Sequence, residues 1–169
     1  MIESSKHYIN CEYDYSGGRD VINVEIMLWA YGVTGEQKLL RLAQKSYSNY
    51  NKKSQAYRSL VAINDKELLT RQKMYVYGVT YNAFSKLVAL LYYYSGDKEK
   101  LKLWEKAMQR LERYYKLPCG CISNAEYMCG NKYFDSTEIC DISDYTWTPE
   151  NLMAIISKKI FRRNRKMCF

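Results

Sequence analysis

A repeated pattern of helix, glycine turn and helix constrains the fold of this chain most strongly. In the first copy, an apolar run at 28–31 precedes Thr34-Gly35-Glu36 and an amphipathic run that starts at Lys38. In the second copy, an apolar run at 91–94 precedes Ser95-Gly96-Asp97 and another amphipathic run. Glycine ends a helix readily because it adopts positive φ, and an acid after it can cap the next helix. The pattern predicts two helical hairpins, each with a buried first helix and an amphipathic second one.

The spacing of apolar residues predicts where each helix lies. The first helix should begin near Asp20, and the third should begin after Gly78 and be buried on every side, because 87–94 is apolar all round. The stretch 51–74 is polar and lysine-rich, which predicts a long connection with some helix around 55–70. The predicted inward faces are Val21, Val24, Leu28 and Tyr31 in the first helix, Leu39, Ala43, Tyr47 and Tyr50 in the second, and Leu101, Trp104, Met108, Leu111 and Tyr115 in the fourth.

Helical periodicity disappears between 116 and 134, a segment that contains Pro118, two glycines and three cysteines. We interpret 116–134 as an irregular loop, the one place where short strands are allowed. A last helix is predicted around Ser136, with Ile139, Ile142 and Tyr145 facing inward. The chain therefore divides into an irregular segment at 1–19, an all-α domain of hairpins at 20–150, and a basic tail at 151–169. Repeated hairpins of this kind favour a toroid of helices.

The positive charge lies mainly in the tail. The formal net charge is +8, but 157–169 holds six of the 26 Lys and Arg and no acid, which leaves 20 basic residues against 18 acidic ones. A nucleic-acid-binding protein needs basic residues gathered on one face, and only the tail supplies them. No apolar run approaches the roughly 20 residues that span a bilayer, and 1–11 lacks the apolar core of a signal peptide. We therefore expect no nucleic-acid or membrane partner and a cytoplasmic location by default.

Tyrosine and cysteine are unusually frequent. The 18 tyrosines could line a polar aromatic cleft suited to sugars, although an aromatic-rich core is the commoner explanation. Four of the six cysteines lie between 119 and 140, which suggests local chemistry. Cys119-x-Cys121 does not have the spacing of a zinc knuckle, so ordinary buried thiols are the favoured interpretation of that pair.

The segment 120–147 holds the candidate site. Glu126 and Glu138 bracket a loop, and Cys140 follows Glu138 by two residues. Zinc accepts both carboxylate and thiolate ligands, so Glu138 and Cys140 could be two ligands of a metal site. On pattern alone, a capping box at 135–138 is the commoner explanation, with Asp135 as the N-cap and Glu138 reaching back to its amide.

Several segments resemble glycoside hydrolase family 127, the β-L-arabinofuranosidases and their relatives. They are Gly78-Val79-Thr80 with the buried helix that follows, Tyr94-Ser95-Gly96-Asp97, Asn124-Ala125-Glu126 and Thr137-Glu138-Ile139-Cys140-Asp141. The resemblance covers roughly 20–147 and implies part of an (α/α)6 barrel that acts on carbohydrate. It also implies that Glu126 is the general acid/base and that Glu138 and Cys140 are zinc ligands.

The chain also departs from that family. The family completes its zinc site with two adjacent cysteines far downstream, one of them the nucleophile, and no such pair precedes Phe169. Tyr77 stands where the family often has histidine. We therefore expect a truncated fragment of a retaining hydrolase of L-arabinofuranosides or related plant glycans, inactive alone, that self-associates through exposed inner helices. The alternative is a non-catalytic helical-repeat module that binds a partner or a glycan.

Overall fold

The computed structural model describes residues 20–56, 63–69, 76–132, 135–146, 148 and 153. The structure contains α1 (Asp20–Thr34), α2 (Gln37–Ala56), α3 (Asp65–Leu69), α4 (Gly78–Ser95) and α5 (Lys98–Tyr114). A further helix, α6, begins at 139 and is described without a gap over 139–146. Within these ranges there is no strand, and β-pairing is limited to isolated bridges. The all-α prediction is therefore confirmed. The segment 1–19 and nearly all of the tail 151–169 lie outside the described residues.

Both hairpins turn at the predicted glycines. Gly35 and Gly96 adopt φ values of 72° and 76°, and each amide donates a 2.8 Å hydrogen bond to the carbonyl four residues earlier. In the second turn, the Asp97 side chain caps α5 by accepting a 3.0 Å hydrogen bond from the Glu99 amide. Because these bonds are local, the turn residues alone are sufficient to stop one helix and start the next.

The two hairpins pack against each other through their first helices. α1 contacts both α2 and α4, and α5 covers α4 from the other side. The close approach of α1 to α4 occurs at Gly32, where a Cβ would lie 2.4 Å from the Tyr94 hydroxyl. Leu87–Leu91 are at most 5% exposed, so the prediction of a buried third helix is confirmed for that stretch.

The exposed apolar surface is not on the inner helix of the second hairpin. The chain's own elements cover α4, whereas Ile26, Trp29 and Val33 on α1 are 46%, 63% and 67% exposed. These three residues follow one another at spacings of three and four, and therefore form one stripe on the helix. We call this set the α1 stripe.

Buried tyrosines connect the helices. The Tyr81 hydroxyl of α4 donates to the Ala107 carbonyl of α5 at 3.0 Å, and the Tyr47 hydroxyl of α2 donates to Asp65. The Tyr47 ring also stacks on Phe84, with the ring centroids 5.4 Å apart. These contacts favour the aromatic-core explanation of the tyrosine content, because the buried hydroxyls have partners within the core.

The buried face of α5 differs from the predicted one. Leu111 and Tyr115 are buried as expected, but Leu101, Trp104 and Met108 are only partly buried. The most buried positions before Leu111 are Leu103, Ala107 and Arg110. Arg110 is 3% exposed, and its guanidinium donates to the Glu67 and Leu68 carbonyls at 2.8 and 3.0 Å. The buried face of α5 is rotated because α3 packs on α5 and its carbonyls accept hydrogen bonds from Arg110.

The polar stretch after α2 is shorter than predicted. α2 continues to Ala56, and α3 falls inside the range where some helix was expected. Residues 57–62 and 70–74 of the predicted connection lie outside the described part of the chain.

Candidate functional site

The segment 122–128 is held between the first turn of α4 and the residues that precede α6. On one side, Gly78 donates to the Glu126 carbonyl at 3.2 Å, and Met128 donates to the Val76 carbonyl at 2.9 Å. On the other side, Asn124 donates to the Ser136 carbonyl and accepts from the Glu138 amide, both at 2.9 Å. The backbone of the loop is therefore paired on both edges, which positions its side chains although it contains no regular strand.

Glu138 brings the three predicted site residues together. Its Oε1 accepts a 2.7 Å hydrogen bond from the Glu126 amide, and its Oε2 accepts one of 3.2 Å from the Cys140 thiol. One carboxylate therefore links the Glu126 backbone to the Cys140 side chain.

The capping box at 135–138 is not formed. The Asp135 carboxylate accepts from the Lys132 amide at 2.7 Å instead of capping α6, and Glu138 reaches the 126 loop rather than the Asp135 amide. The helix also begins at 139 and not around Ser136. The capping interpretation of this pattern is therefore wrong, because both carboxylates bond to other parts of the loop.

Glu126 has an unusual backbone conformation. With φ of 62°, it is the one non-glycine residue with positive φ in the part of the chain that the structure describes. That conformation costs a residue with a Cβ about 1 kcal/mol or more. Its amide and carbonyl are both held, by Glu138 and Gly78, and the residue itself is exposed. Strain retained at an exposed carboxylate residue is typical of a functional position.

The Glu138–Cys140 pair has the geometry of two adjacent metal ligands. The distance of 3.2 Å between Glu138 Oε2 and Cys140 Sγ is close to the separation of about 3.5 Å expected between an oxygen and a sulfur ligand of one tetrahedral zinc. The hydrogen bond to Glu138 raises the pKa of the Cys140 thiol, so a cation would have to displace the proton that the pair shares. Among the described residues, no group of three or more His, Cys, Asp or Glu side chains is arranged to hold a metal. The pair therefore fits half of a zinc site.

Asp141 is a buried carboxyl that the sequence analysis did not single out. It is fully buried, and its Oδ1 accepts a 2.7 Å hydrogen bond from the Asn82 amide of α4. Burial raises the pKa of Asp141 to about 7, and the nearby Asp144 and Glu138 carboxylates act in the same direction, against the Asn82 bond. Asp141 therefore changes protonation state near neutral pH.

The predicted inward face of α6 is correct for Tyr145 and wrong for Ile139. Ile139 is 82% exposed, while Asp141 occupies the interior and Tyr145 packs at the edge of the core. The sequence contained one signal for the correct orientation of α6: Asn82 lies one turn after Gly78 in α4, the helix whose first turn holds the 122–128 segment. A buried amide at that position requires a polar partner, and Asp141 provides it.

Several buried polar atoms of this region have no protein partner. The Asn124 side-chain amide, the Thr137 hydroxyl and Asp141 Oδ2 are buried and make no hydrogen bond to another protein group. Asn124 packs so closely on α4 that a Cβ at Gly78 would lie 2.4 Å from its side-chain Cγ. The loop is thus backed by a polar layer.

A largely buried ion pair joins α4 to α1 close enough to Asp144 of α6 to act on its carboxyl. Lys86 of α4 lies 2.9 Å from Glu25 of α1, and the Lys86 side chain is 4% exposed. The pKa of Asp144 is raised, mainly by burial. The Lys86 ammonium opposes this shift, and the Glu25 carboxylate adds to it. The lysine charge is thus shared between two acids on different helices.

A separate cavity of about 270 Å³ lies between α2 and the α4–α5 turn. Lys100 in its wall donates to Asp65 at 2.7 Å and lies 4.2 Å from the centre of the Tyr47 ring. None of the predicted site residues lines this cavity, so it is distinct from the Glu126–Cys140 region.

Comparisons with known proteins add no relative. No protein-family model, no curated protein and no solved structure matches the chain. None of the helices in the described ranges combines the length and the apolar character needed to cross a membrane.

Proposed function

We propose that this chain carries part of the site of a retaining glycosidase resembling glycoside hydrolase family 127. In this proposal, Glu126 is the general acid/base, and Glu138 and Cys140 are metal ligands. The observation that carries it is the position of Glu138, whose two oxygens bond the Glu126 amide and the Cys140 thiol. Residues chosen from a resemblance to an enzyme family thus lie within one hydrogen-bonded group.

The environment of Glu126 suits an acid/base. A group that protonates a glycosidic oxygen must reach the substrate, and Glu126 is exposed on a backbone held at both its amide and its carbonyl. Retaining chemistry pairs such a carboxyl with a nucleophile on the other face of the sugar. The resemblance assigns that role to a cysteine beyond the segments it covers, so we expect little or no turnover from this chain. The proposed substrates are L-arabinofuranosides or related plant glycans.

Zinc in this site would keep a thiolate deprotonated at neutral pH. Glu138 and Cys140 would hold it, and the Glu138–Glu126 bond would fix the acid/base relative to the metal. The packing of the two hairpins through α1 and α4 supports part of an (α/α)6 barrel as the proposed architecture.

Zinc affinity tests the ligand assignment. Titration of the full chain against a competing chelator should show binding that weakens at least tenfold in Cys140→Ser and in Glu138→Gln. Cys119 and Cys121 should be serine in every variant, so that they do not contribute ligands. Cys129→Ser is the matched control, because that thiol bonds to the Tyr127 carbonyl and not to Glu138. Equal zinc affinity in all variants would remove the metal site from the proposal.

Sugar binding tests the substrate class. Addition of an aryl β-L-arabinofuranoside with zinc should shift the amide NMR signals of 124–128, and Glu126→Gln should change those shifts. Glu112→Gln, an exposed acid on α5, should leave them unchanged. Shifts absent at millimolar sugar would overturn the carbohydrate assignment. Steady hydrolysis that Glu126→Gln abolishes would confirm the acid/base while refuting the expected lack of turnover.

The α1 stripe favours a second candidate function, that of a non-catalytic interaction module. An exposed tryptophan between two aliphatic residues is typical of a contact surface. A second copy of the chain could pack its own stripe antiparallel on the first, giving a two-fold contact. Light scattering should then show a dimer that Trp29→Ala disrupts and that Arg41→Ala, an exposed residue of α2, does not. A monomer at all concentrations would exclude this self-association.

A further inference from the structure

The chain makes a tight hairpin immediately after α5. Lys116 pairs with Ile122 in an antiparallel bridge, and the Leu117 amide donates to the Cys121 carbonyl at 2.8 Å. Within the turn, the Gly120 amide donates to the Leu117 carbonyl at 2.9 Å. These bonds define the two ends of a short loop that carries Cys119 and Cys121.

Gly120 has the backbone conformation that this turn requires. Its φ is 93°, and a Cβ placed on it would have nothing within 4 Å. Glycine is therefore needed for the backbone angle and not for space. The turn holds the two cysteines on either side of Gly120, and each thiol shifts the pKa of the other.

Both thiols are reachable from solvent. Cys119 is exposed and Cys121 is partly exposed. The expectation that these are ordinary buried thiols is therefore wrong. The hairpin follows α5 at its end and is held by its own backbone bonds, so the core does not enclose its tip.

The two cysteines differ in acidity. A hydrogen bond from the Cys121 backbone lowers the pKa of Cys119, whereas the hydrogen bond with Cys119 raises the pKa of the Cys121 thiol. An exposed thiol of lowered pKa next to a second accessible thiol is the arrangement of an attacking and a resolving cysteine.

From the closed turn at 117–121 and the accessibility of both thiols, we propose that Cys119 and Cys121 form a redox-active dithiol that exchanges reversibly with low-molecular-weight disulfides. The Cys119 thiolate attacks one sulfur of the small disulfide, forms a mixed disulfide and releases one small thiolate. Cys121, deprotonated in turn, attacks the Cys119 sulfur, closes the Cys119–Cys121 bond and releases the second small thiolate. The protein loses two electrons and two protons, and the disulfide becomes two small thiols.

The small ring makes this exchange reversible. A disulfide stabilises a protein mainly by closing a loop in the unfolded chain, and the gain is least for the shortest loops. A bond across one intervening residue gains little in this way, and its exposure leaves it open to attack by a small thiol. The pair lies outside the Glu126–Glu138–Cys140 hydrogen bonds, although the Asp141 carboxylate beside Cys140 also raises the pKa of Cys121.

Thiol trapping tests the proposal. The full chain, with Cys11 and Cys168 replaced by serine, is reduced and then incubated with set ratios of glutathione disulfide to glutathione. Free thiols are alkylated, and peptides are identified by mass spectrometry. We expect a Cys119–Cys121 disulfide whose fraction follows the glutathione ratio and reverses when the ratio is reversed. Oxidation at Cys129 and Cys140 should be at least tenfold slower.

Single substitutions assign the two roles. Cys121→Ser should accumulate a glutathione adduct on Cys119, because the resolving thiol is gone. Cys119→Ser should slow the first step at least tenfold, whereas Cys129→Ser should behave like the parent. The proposal is overturned if the parent retains the mixed disulfide without closing it, or if all four thiols oxidise at the same rate.

Discussion

Arg110 should be among the most sensitive positions for stability. It is 3% exposed, and its guanidinium donates to the Glu67 and Leu68 carbonyls near the end of α3. α3 has five residues and is too short to be stable by itself. We therefore expect Arg110→Met to loosen α3 from α5 and to lower the free energy of unfolding.

The size of the effect follows from the two carbonyls. Each buried acceptor that loses its partner costs about 1–3 kcal/mol. Methionine preserves most of the apolar stem of arginine, so the loss of packing is small. The expected destabilisation is about 2–5 kcal/mol. Arg110→Lys should also destabilise, because a single ammonium does not reproduce the planar fork that reaches both carbonyls.

Urea unfolding followed by circular dichroism measures this difference. The matched control is Arg113→Met, an exposed arginine in the last turn of the same helix, whose loss should cost at most about 1 kcal/mol through the helix dipole. If Arg110→Met and Arg113→Met had equal unfolding free energies, the structural role assigned to the Arg110 bonds would be refuted.

Three further substitutions test the site and the turns. The pKa of Asp141 is near 7 in the folded protein against 3.8 ordinarily, so the carboxyl binds more protons in the folded state and stability falls as pH rises from about 4 to 7. With a chelator present, Asp141→Asn should raise the free energy of unfolding by up to about 4 kcal/mol relative to wild type at pH 8 and by nothing below pH 4. A difference that does not change with pH would refute this. Gly78→Ala should cost about 1–3 kcal/mol through its overlap with Asn124, and much less when Asn124 is also alanine, as a double-mutant cycle will show. Asp97→Ala should cost about 1 kcal/mol in thermal unfolding by removing the cap on the Glu99 amide; an unchanged melting temperature would contradict the cap.

The hairpins could be predicted from the sequence because their determinants are local. Gly35 and Gly96 adopt the positive φ that the pattern required, and each turn is closed by bonds within a few residues. The convergence of Glu126, Glu138 and Cys140 was predicted through resemblance to a family, and the backbone pairing of the loop is what produces it.

The remaining features depend on contacts between distant segments. Asp141 rather than Ile139 faces inward because its partner Asn82 lies 59 residues earlier, a pairing that helical periodicity does not encode. Arg110 is buried because α3, more than 40 residues earlier, presents two carbonyls to it. The exposure of Cys119 follows from a turn that places its thiol outside the core. For Asp141 and Arg110, the orientation of the side chain is set by a distant partner, whereas the turn that exposes Cys119 is local but is not described by helical periodicity.

The Asn82–Asp141 bond also affects how the chain folds during synthesis. The hairpins close between neighbouring residues, but Asn82 leaves the ribosome 59 residues before Asp141 does. At about 5–20 residues per second, that interval lasts roughly 3–12 s. During it, the Asn82 side chain of α4 lacks its Asp141 partner, and water can solvate it. A nascent chain with both hairpins closed therefore presents a hydrated amide, and not an apolar side chain, at the point where Asp141 will bind.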